Sequence, residues 1–167
     1  MNGLTVDAVV EALQDVKDPE IPVVSVVELG IVQGVHIDGT RVTVAITPTF
    51  SGCPAVELMR AEIAERIGRM GATSVDVPIV LDPPWSSDRI APAARERMRE
   101  IGLAPPAIRS AFDPDAALML SAAANPVACP FCGAADTTLE NAFGPTICRA
   151  IHYCNACRQP FEEFKAL

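Results

Sequence analysis

Five cysteines lie within residues 128–167, and their spacing limits the possible folds of this segment more than any other feature of the chain. Four of them form two Cys-x-x-Cys pairs, and a fifth lies between the pairs. In each pair both thiolates can face one ion while nearby backbone N–H groups support their negative charge. Two such pairs supply the four sulfur ligands, at ~2.3 Å, of a closed structural zinc site. The predicted ligands are Cys129, Cys132, Cys154 and Cys157.

The segment that carries these cysteines is too short to build much of a hydrophobic core. Metal binding can supply the missing folding free energy, which favours a ligand role over redox pairs or unpaired thiols. We therefore predict a zinc-ribbon-like β subdomain over residues 128–167. Zinc is the expected metal, while iron or an iron–sulfur cluster at the same sulfurs stays open at this point.

The fifth cysteine, Cys148, precedes Cys154 by six residues in a segment that reads as a strand. Along an extended strand this separation is ~20 Å, too far for both sulfurs to bind one ion. We predict that Cys148 is a small buried side chain, with an accessible redox or metal-transfer thiol as the alternative. His152 lies nearer to the pair, but four cysteines already complete the shell, so we expect it to be packed or hydrogen-bonded.

The remaining residues indicate an α+β domain over 1–106 and an Ala/Pro-rich linker over 107–127. Hydrophobic periodicity and turn signals give the order α-β-β-α-β-α, which favours a small sandwich of helices on a mixed three-to-four-stranded sheet. A hairpin is predicted at Asp38-Gly39-Thr40. The other predicted elements are a helix over 6–16 capped by Thr5, a helix over 54–70, a strand over 73–81 and a helix over 88–101.

Three residues of this first domain carry possible chemistry. Asp18 and Glu20 flank Pro19, which places two carboxylates on a stiff, extended loop. Taken alone, such a loop is most often turn chemistry and solvated charge. Cys53 stands just before the helix over 54–70, where unpaired N–H groups and the macrodipole favour an anion and can lower the pKa of a thiol. Carboxylates and a thiolate together could hold iron or an iron–sulfur intermediate, although spacing does not show that they meet.

The sequence argues against several functions. The net charge of −8 is poorly suited to nucleic acid, because such binding depends on Lys and Arg neutralising phosphates. No stretch approaches the length of an apolar membrane span, and the N-terminus lacks the pattern of a signal peptide, so a cytoplasmic location is expected. The chain carries neither Glu-x-x-His pairs nor a Gly-rich dinucleotide fingerprint.

Three segments of the first domain, DPEIPVVSVVELGIV, ITPTFSGCPA and LDPPWSSDRIAPAARERMREIGLAPP, resemble the iron–sulfur assembly factors of the SufT and MIP type. The tail CPFCGAADTTLENAFGPTICRAIHYCNACRQPFEEFK resembles one branch of that family, PaaD (PaaJ). Its members are associated with the multicomponent 1,2-phenylacetyl-CoA epoxidase of aerobic phenylacetate degradation. The resemblance implies a compact α+β fold and a functional site at Asp18, Glu20 and Cys53.

The resemblance also implies an accessory role without independent enzymatic activity. We expect a maturation subunit that assists insertion of iron or an iron–sulfur cluster into the epoxidase, with the oxygenase or reductase subunits as partners. The alternatives are a general iron–sulfur cluster carrier and a structural adaptor subunit of the oxygenase complex. The sequence leaves the oligomeric state open, a homodimer included.

Overall fold

The computed structural model describes residues 4–50, 52–108 and 126–165. These residues form two compact units, of which one ends at Ala94 and the other begins at Arg95. Within the described residues no helix is long and apolar enough to cross a membrane. In chain order the helices and strands are α1 (Val6–Leu13), β1 (Val32–Asp38), β2 (Arg41–Ile46), α2 (Ala55–Arg69), β3 (Ser74–Asp76), α3 (Pro92–Glu100), β4 (Leu103–Ala104), β5 (Thr137–Asn141), β6 (Arg149–Cys154) and β7 (Pro160–Phe164).

The first helix begins where the sequence predicted and ends earlier. The Thr5 hydroxyl accepts a hydrogen bond from the Ala8 N–H at 3.2 Å, so Thr5 caps α1 as expected. The helix ends at Leu13 rather than near Val16. The Val16 N–H donates to the carbonyl of Leu13 at 3.2 Å, three residues back, which tightens the chain into the loop that carries Asp18.

The first unit contains a three-stranded mixed sheet with α1 and α2 packed on it. β1 and β2 are antiparallel and β3 is parallel to β2, in the order β1-β2-β3. Gly39 has φ 61 in the two-residue turn between β1 and β2, as the hairpin signal predicted. One face of β2 and one stripe of α2 are buried, and α2 contacts both α1 and β3. The buried residues are Val42, Val44 and Ile46 of β2, and Ala55, Val56, Met59, Ile63 and Ile67 of α2.

The third helix is shorter than predicted, because it begins at Pro92 instead of running through that residue. Proline has no N–H and disfavours helical geometry at the preceding residue, so it suits the first position of a helix. A separate 3₁₀ turn, Ser87–Arg89, precedes the helix, and the Ser86 hydroxyl accepts from the Asp88 N–H at 3.3 Å. Gly102, with φ 81, follows the helix as predicted.

The second unit contains a four-stranded sheet in the order β4-β7-β6-β5. β5, β6 and β7 form an antiparallel ribbon, while β4 pairs with β7 in parallel. The sequence did not predict β4, whose residues fall within the range assigned to the first domain. The predicted domain limits stay a prediction, since most of the expected linker falls on residues 109–125, outside those the structure describes.

Candidate functional site

The sulfurs of the two Cys-x-x-Cys pairs converge in the second unit. All four Sγ atoms lie within 4.8 Å of one another. Sγ of Cys129 is 3.7 Å from Sγ of Cys157, and Sγ of Cys132 is 3.6 Å from Sγ of Cys154. A tetrahedral ion with ~2.3 Å bonds to sulfur has edges of ~3.8 Å, so the geometry fits Zn²⁺. Four sulfurs would complete its shell, which is the arrangement of a structural site.

Each Cys-x-x-Cys pair forms a tight turn, or knuckle, and the two knuckles have the same local backbone structure. The first knuckle contains Cys129 and Cys132, and the second contains Cys154 and Cys157. In each knuckle the N–H of the first cysteine donates to the carbonyl five residues later. The carbonyl of that cysteine in turn accepts from the N–H four residues later. Each knuckle therefore forms a closed loop around its two sulfurs. In the first knuckle the Cys129 N–H donates to the Ala134 carbonyl (2.9 Å), and the Gly133 N–H donates to the Cys129 carbonyl (2.8 Å). In the second knuckle the Cys154 N–H donates to the Gln159 carbonyl (3.0 Å), and the Arg158 N–H donates to the Cys154 carbonyl (2.8 Å).

A short polar bridge and a small core hold the knuckles together. The Asn155 side chain donates to Oδ1 of Asp136 at 2.9 Å and to the Thr138 hydroxyl at 3.1 Å. Cys129 and Cys154 are buried in one cluster with Phe161 and Ala104, the second residue of β4. The unpredicted strand β4 therefore contributes to the core beneath the sulfurs.

The electrostatics of the cluster require a cation if all four sulfurs are to ionise. The Cys157 N–H points at the sulfur of Cys154 from 3.5 Å, and this donor is the main cause that lowers the pKa of Cys154 to about 7. Loss of hydration, followed by the nearby Cys154, raises the pKa of Cys157 to about 12. Four thiolates this close repel one another, whereas a divalent ion at their centre stabilises all four.

Cys148 and His152 lie outside the four-sulfur cluster. Strand geometry predicted this for Cys148, and a shell already completed by four cysteines predicted it for His152. Cys148, Ala150, His152 and Cys154 are all buried, which is the expected alternation along β6. Sγ of Cys148 is 3.1 Å from the Thr146 hydroxyl. Its burial argues against the alternative of an accessible thiol.

The His152 imidazole contacts a carboxylate and an aromatic ring. Its Nε2 lies 2.9 Å from Oε2 of Glu163, and its ring stacks on Phe161 with a centroid separation of 5.4 Å. His152 is therefore hydrogen-bonded and packed.

The second candidate site lies in the first unit, on the loop after α1 and at the start of α2. Asp18 is buried, and its Oδ1 accepts hydrogen bonds from the N–H groups of Glu20 (2.7 Å) and Ile21 (3.0 Å). Cys53 is half-buried directly before α2, and its N–H donates to the carbonyl of Phe50 at 3.1 Å. Glu20 is likewise half-buried.

The pKa of Cys53 shows which groups act on its sulfur. Partial burial is the largest influence and raises this pKa; the N–H groups of Ala55 and Val56 lower it, and the charges of Glu20 and Asp18 raise it further. The backbone donors at the start of α2 therefore lower the pKa of Cys53 as predicted, but burial and the two carboxylates outweigh them, and the net shift is upward. The charges of Glu20 and Asp18 therefore act on the Cys53 sulfur, but among the described residues only the four ribbon cysteines bring three or more ligand atoms close enough to hold one metal ion.

Two protein families match separate parts of the chain. The PaaD zinc β-ribbon domain matches residues 113–165, and the iron–sulfur cluster assembly protein family matches residues 6–79. Over 158 residues the chain is 41% identical to an Escherichia coli K12 protein named as a 1,2-phenylacetyl-CoA epoxidase subunit, covering 93% of this chain and 89% of that protein. The chain belongs to the PaaD family.

Shorter relatives of this PaaD-family chain support the fold expected from the sequence. A Porphyromonas gingivalis protein named Fe-S protein maturation auxiliary factor is 33% identical over 101 residues, which are 59% of this chain and 91% of that protein. A crystal structure of a DUF59 domain from Bacillus anthracis matches with a TM-score of 0.53 and 26% identity, covering 56% of this chain and 90% of that one. The predicted α+β fold with a zinc-ribbon subdomain is confirmed.

The side chain of Trp85 is packed and hydrogen-bonded within the first unit of this PaaD-family chain. The side chain is buried, and its indole N–H donates to the carbonyl of Leu29 at 2.9 Å. Packing therefore accounts for Trp85.

Proposed function

We propose that this chain is an accessory maturation subunit of a phenylacetyl-CoA epoxidase. Iron or an iron–sulfur cluster is its cargo, and the oxygenase or reductase subunits of the epoxidase are its clients. The similarity to a protein named as a subunit of that epoxidase supports the client. The iron–sulfur cluster assembly match over residues 6–79 supports the cargo.

The observation that carries this proposal is the combined similarity of the chain to a protein named as an epoxidase subunit and to one named Fe-S protein maturation auxiliary factor. Within the first unit the charges of Glu20 and Asp18 act on the Cys53 thiol. A cysteine sulfur and a carboxylate oxygen are both ligands that iron accepts in proteins. Cys53 and Glu20 are half-buried rather than sealed in the core, so an ion can reach them. The proposed cargo site therefore consists of Cys53 with the carboxylates of the Asp-Pro-Glu segment.

The four-cysteine site has a different part in this proposal. Four sulfurs complete a tetrahedral shell and leave no position for a second ligand, so zinc there holds the ribbon together. Cargo binding belongs to the first unit, and a scaffold role belongs to the second. The chain has no turnover of its own in this scheme.

The test is to produce the oxygenase and reductase subunits with and without this chain, then measure their iron, their cluster content and phenylacetyl-CoA epoxidation. We expect metal-poor partners and low activity without the chain, and rescue by the wild type. Cys53→Ser should fail to rescue. Cys148→Ser, which changes a buried cysteine outside both sites, should rescue fully.

Adding the chain to partners that are already fully metallated should change epoxidation little. An equal dependence of fully metallated partners on the chain would reject the maturation role. If fully metallated partners still depended on the chain, and the chain stayed in the active complex at fixed stoichiometry, it would be a structural adaptor instead.

A second candidate is a general iron–sulfur carrier, favoured by the similarity to a protein named Fe-S protein maturation auxiliary factor. Deletion of the gene distinguishes the two. A general carrier predicts loss of activity in many cluster enzymes, whereas a dedicated maturation subunit predicts a defect confined to growth on phenylacetate.

A further inference from the structure

The four cysteines of the zinc site differ in their access to solvent. Cys129 is 2% exposed and Cys154 is 0% exposed, because both lie in the small core of the second unit. Cys157 is half-buried, whereas Cys132 is exposed. A reagent in solution therefore reaches Cys132 more readily than any other cysteine of the cluster.

We propose that Cys132 is a modification site, at which a peroxide begins the oxidation of the zinc-loaded ribbon, and that Cys154 is the resolving cysteine. The product is a disulfide between Cys132 and Cys154, which joins the two knuckles in place of the ion. The proposal concerns the ribbon alone and is independent of the cargo site in the first unit.

The first knuckle presents Cys132 to solvent. Phe131, Cys132 and Gly133 are consecutive and all exposed. The Phe131 ring lies against the turn between α3 and β4, since a Cβ added to Gly102 would be 2.8 Å from two of the ring carbons. The equivalent cysteine of the second knuckle, Cys157, is half-buried. The two knuckles therefore share a backbone structure but not the accessibility of their second cysteine.

Cys154 is placed to react with an oxidised Cys132. The two Sγ atoms are 3.6 Å apart, and a disulfide bond brings such atoms to ~2.05 Å. Because Cys154 is fully buried, a reagent in solution does not reach it directly. Cys154 therefore reacts with the modified sulfur of its neighbour and not with the peroxide.

The reaction balances with hydrogen peroxide as the oxidant. The Cys132 thiolate attacks the peroxide, the O–O bond breaks, and a sulfenic acid and a hydroxide ion form. The Cys154 thiolate then attacks the sulfenic sulfur, a disulfide bond forms, and a second hydroxide ion leaves. Two electrons pass in total from the two sulfurs to the peroxide. Bonding to zinc makes all four thiolates less reactive, so accessibility decides which of them reacts first.

This oxidation removes half of the metal shell. The sulfurs of Cys129 and Cys157, which are 3.7 Å apart, are the ligands that remain. Two sulfurs do not complete a tetrahedral shell, so zinc is held far more weakly. Metal binding contributes to the folding of such small units, and the ribbon therefore loses order as zinc is released. The zinc site thus makes the structure of the ribbon sensitive to oxidants.

The test treats the full zinc-loaded chain with a small excess of hydrogen peroxide. Zinc release is followed with a chromogenic chelator, and sulfenic acid is trapped with dimedone in a parallel sample. Disulfides are mapped by tryptic digestion without reductant. Trypsin cuts after Arg149 and Arg158, so Cys129 and Cys132 fall in one peptide and Cys154 falls in another. A bond within one knuckle leaves the two peptides separate, whereas the proposed bond links them.

Cys132→His and Cys157→His form a matched pair of variants, because they change equivalent positions in the two knuckles. A Cys₃His shell still binds zinc, and its imidazole cannot form the disulfide. We expect Cys132→His to release zinc more slowly than Cys157→His, by about fivefold or more, because the accessible thiolate is gone. Cys148→Ser should release zinc at the wild-type rate. If either histidine variant fails to bind zinc, the mapping of the wild type decides alone.

In the wild type we expect dimedone to label Cys132 first, and zinc release to follow the appearance of the linked peptides. First labelling of Cys157, or equal rates of zinc release in the two histidine variants, would overturn the role of Cys132. A disulfide between Cys129 and Cys132 as the main product would overturn the role of Cys154. Oxidation confined to Cys53, with zinc retained, would overturn the whole proposal.

Discussion

Gly133 and Arg158 occupy the same position in the two knuckles, directly after the second cysteine, and both adopt a left-handed backbone, with φ 76 and φ 60. The conformation lets each N–H reach the carbonyl of the first cysteine, at 2.8 Å in both knuckles. Glycine adopts it without strain, whereas a side chain with a Cβ is destabilised by about 1 kcal/mol or more. Among the described residues Arg158 is the non-glycine residue with positive φ.

Arg158→Gly should therefore stabilise the ribbon by about 1 kcal/mol, and Gly133→Ala should destabilise it by a similar amount. A Cβ on Gly133 would meet no atom within 4 Å, so the second effect would come from the backbone and not from crowding. Urea unfolding of the zinc-loaded chain, followed by release of zinc to a chromogenic chelator, measures both changes.

Arg99→Gly is the control for this pair, because Arg99 is exposed and lies in the last turn of α3, where it forms a surface ion pair with Glu96. In a helix the same substitution should destabilise by about 1 kcal/mol. If Arg158→Gly instead destabilised the ribbon, as Arg99→Gly should destabilise its helix, the Arg158 side chain would contribute more stability than its left-handed backbone costs.

Much of the ribbon could be predicted from its sequence, because metal-ligand spacing and strand periodicity are local properties. The two-residue period of β6 gave the buried face that carries Cys148, His152 and Cys154. Strand β4 could not be found in this way, since Leu103–Ala104 is too short to show a period and pairs with β7 about 60 residues later in the chain. Pairing over such a distance depends on tertiary structure.

The Cys53 site was predicted less completely. The Asp-Pro-Glu segment and the cysteine before α2 were visible in the sequence, and so was a favourable helix N-terminus. The direction in which the pKa of Cys53 shifts could not be predicted from the sequence. It depends on how much of Cys53 is buried and on carboxylates that lie more than 30 residues earlier. Burial and long-range charge are properties of the folded chain.

Substitution of single cysteines should separate ligands from bystanders. Cys154→Ser should lower zinc affinity by about a hundredfold or more and remove the amide protection of β5 to β7, since metal binding contributes to folding of such small units. Cys148→Ser should keep one zinc per chain, because its sulfur lies outside the cluster. Zinc content and hydrogen exchange measure both effects, and zinc loss in Cys148→Ser with zinc retained in Cys154→Ser would contradict the assignment.

Removal of the His152 imidazole should affect stability and leave the metal in place. His152→Phe keeps an aromatic ring against Phe161 but leaves the Glu163 carboxylate without its partner at 2.9 Å. We expect destabilisation by about 1 kcal/mol, because the Glu163 side chain is 17% exposed and water can partly replace the lost hydrogen bond. Adding Glu163→Gln should recover part of that loss. Zinc stoichiometry should stay at one per chain, and a lower value in well-folded protein would make His152 a ligand.

The last prediction concerns the reactivity of Cys53 in protein without iron. Partial burial, together with the charges of Glu20 and Asp18, raises the pKa of this thiol above its usual value of 9.0. Only the thiolate reacts with iodoacetamide, so alkylation should be slow at pH 7.5 and should increase as the pH rises. Glu20→Gln removes a negative charge near the sulfur, which favours the thiolate, lowers the pKa and speeds alkylation at pH 7.5.

The expected increase is on the order of threefold, the effect of one charge near a protein surface. Peptide mapping by mass spectrometry after timed alkylation isolates Cys53 from the ribbon cysteines, which zinc protects. Asp38→Asn, an exposed change at the turn between β1 and β2, should leave the rate unchanged and thereby exclude an effect of net charge alone. An unchanged rate in Glu20→Gln would mean that the charge of Glu20 does not reach the sulfur, and the proposed cargo site would lose its carboxylate.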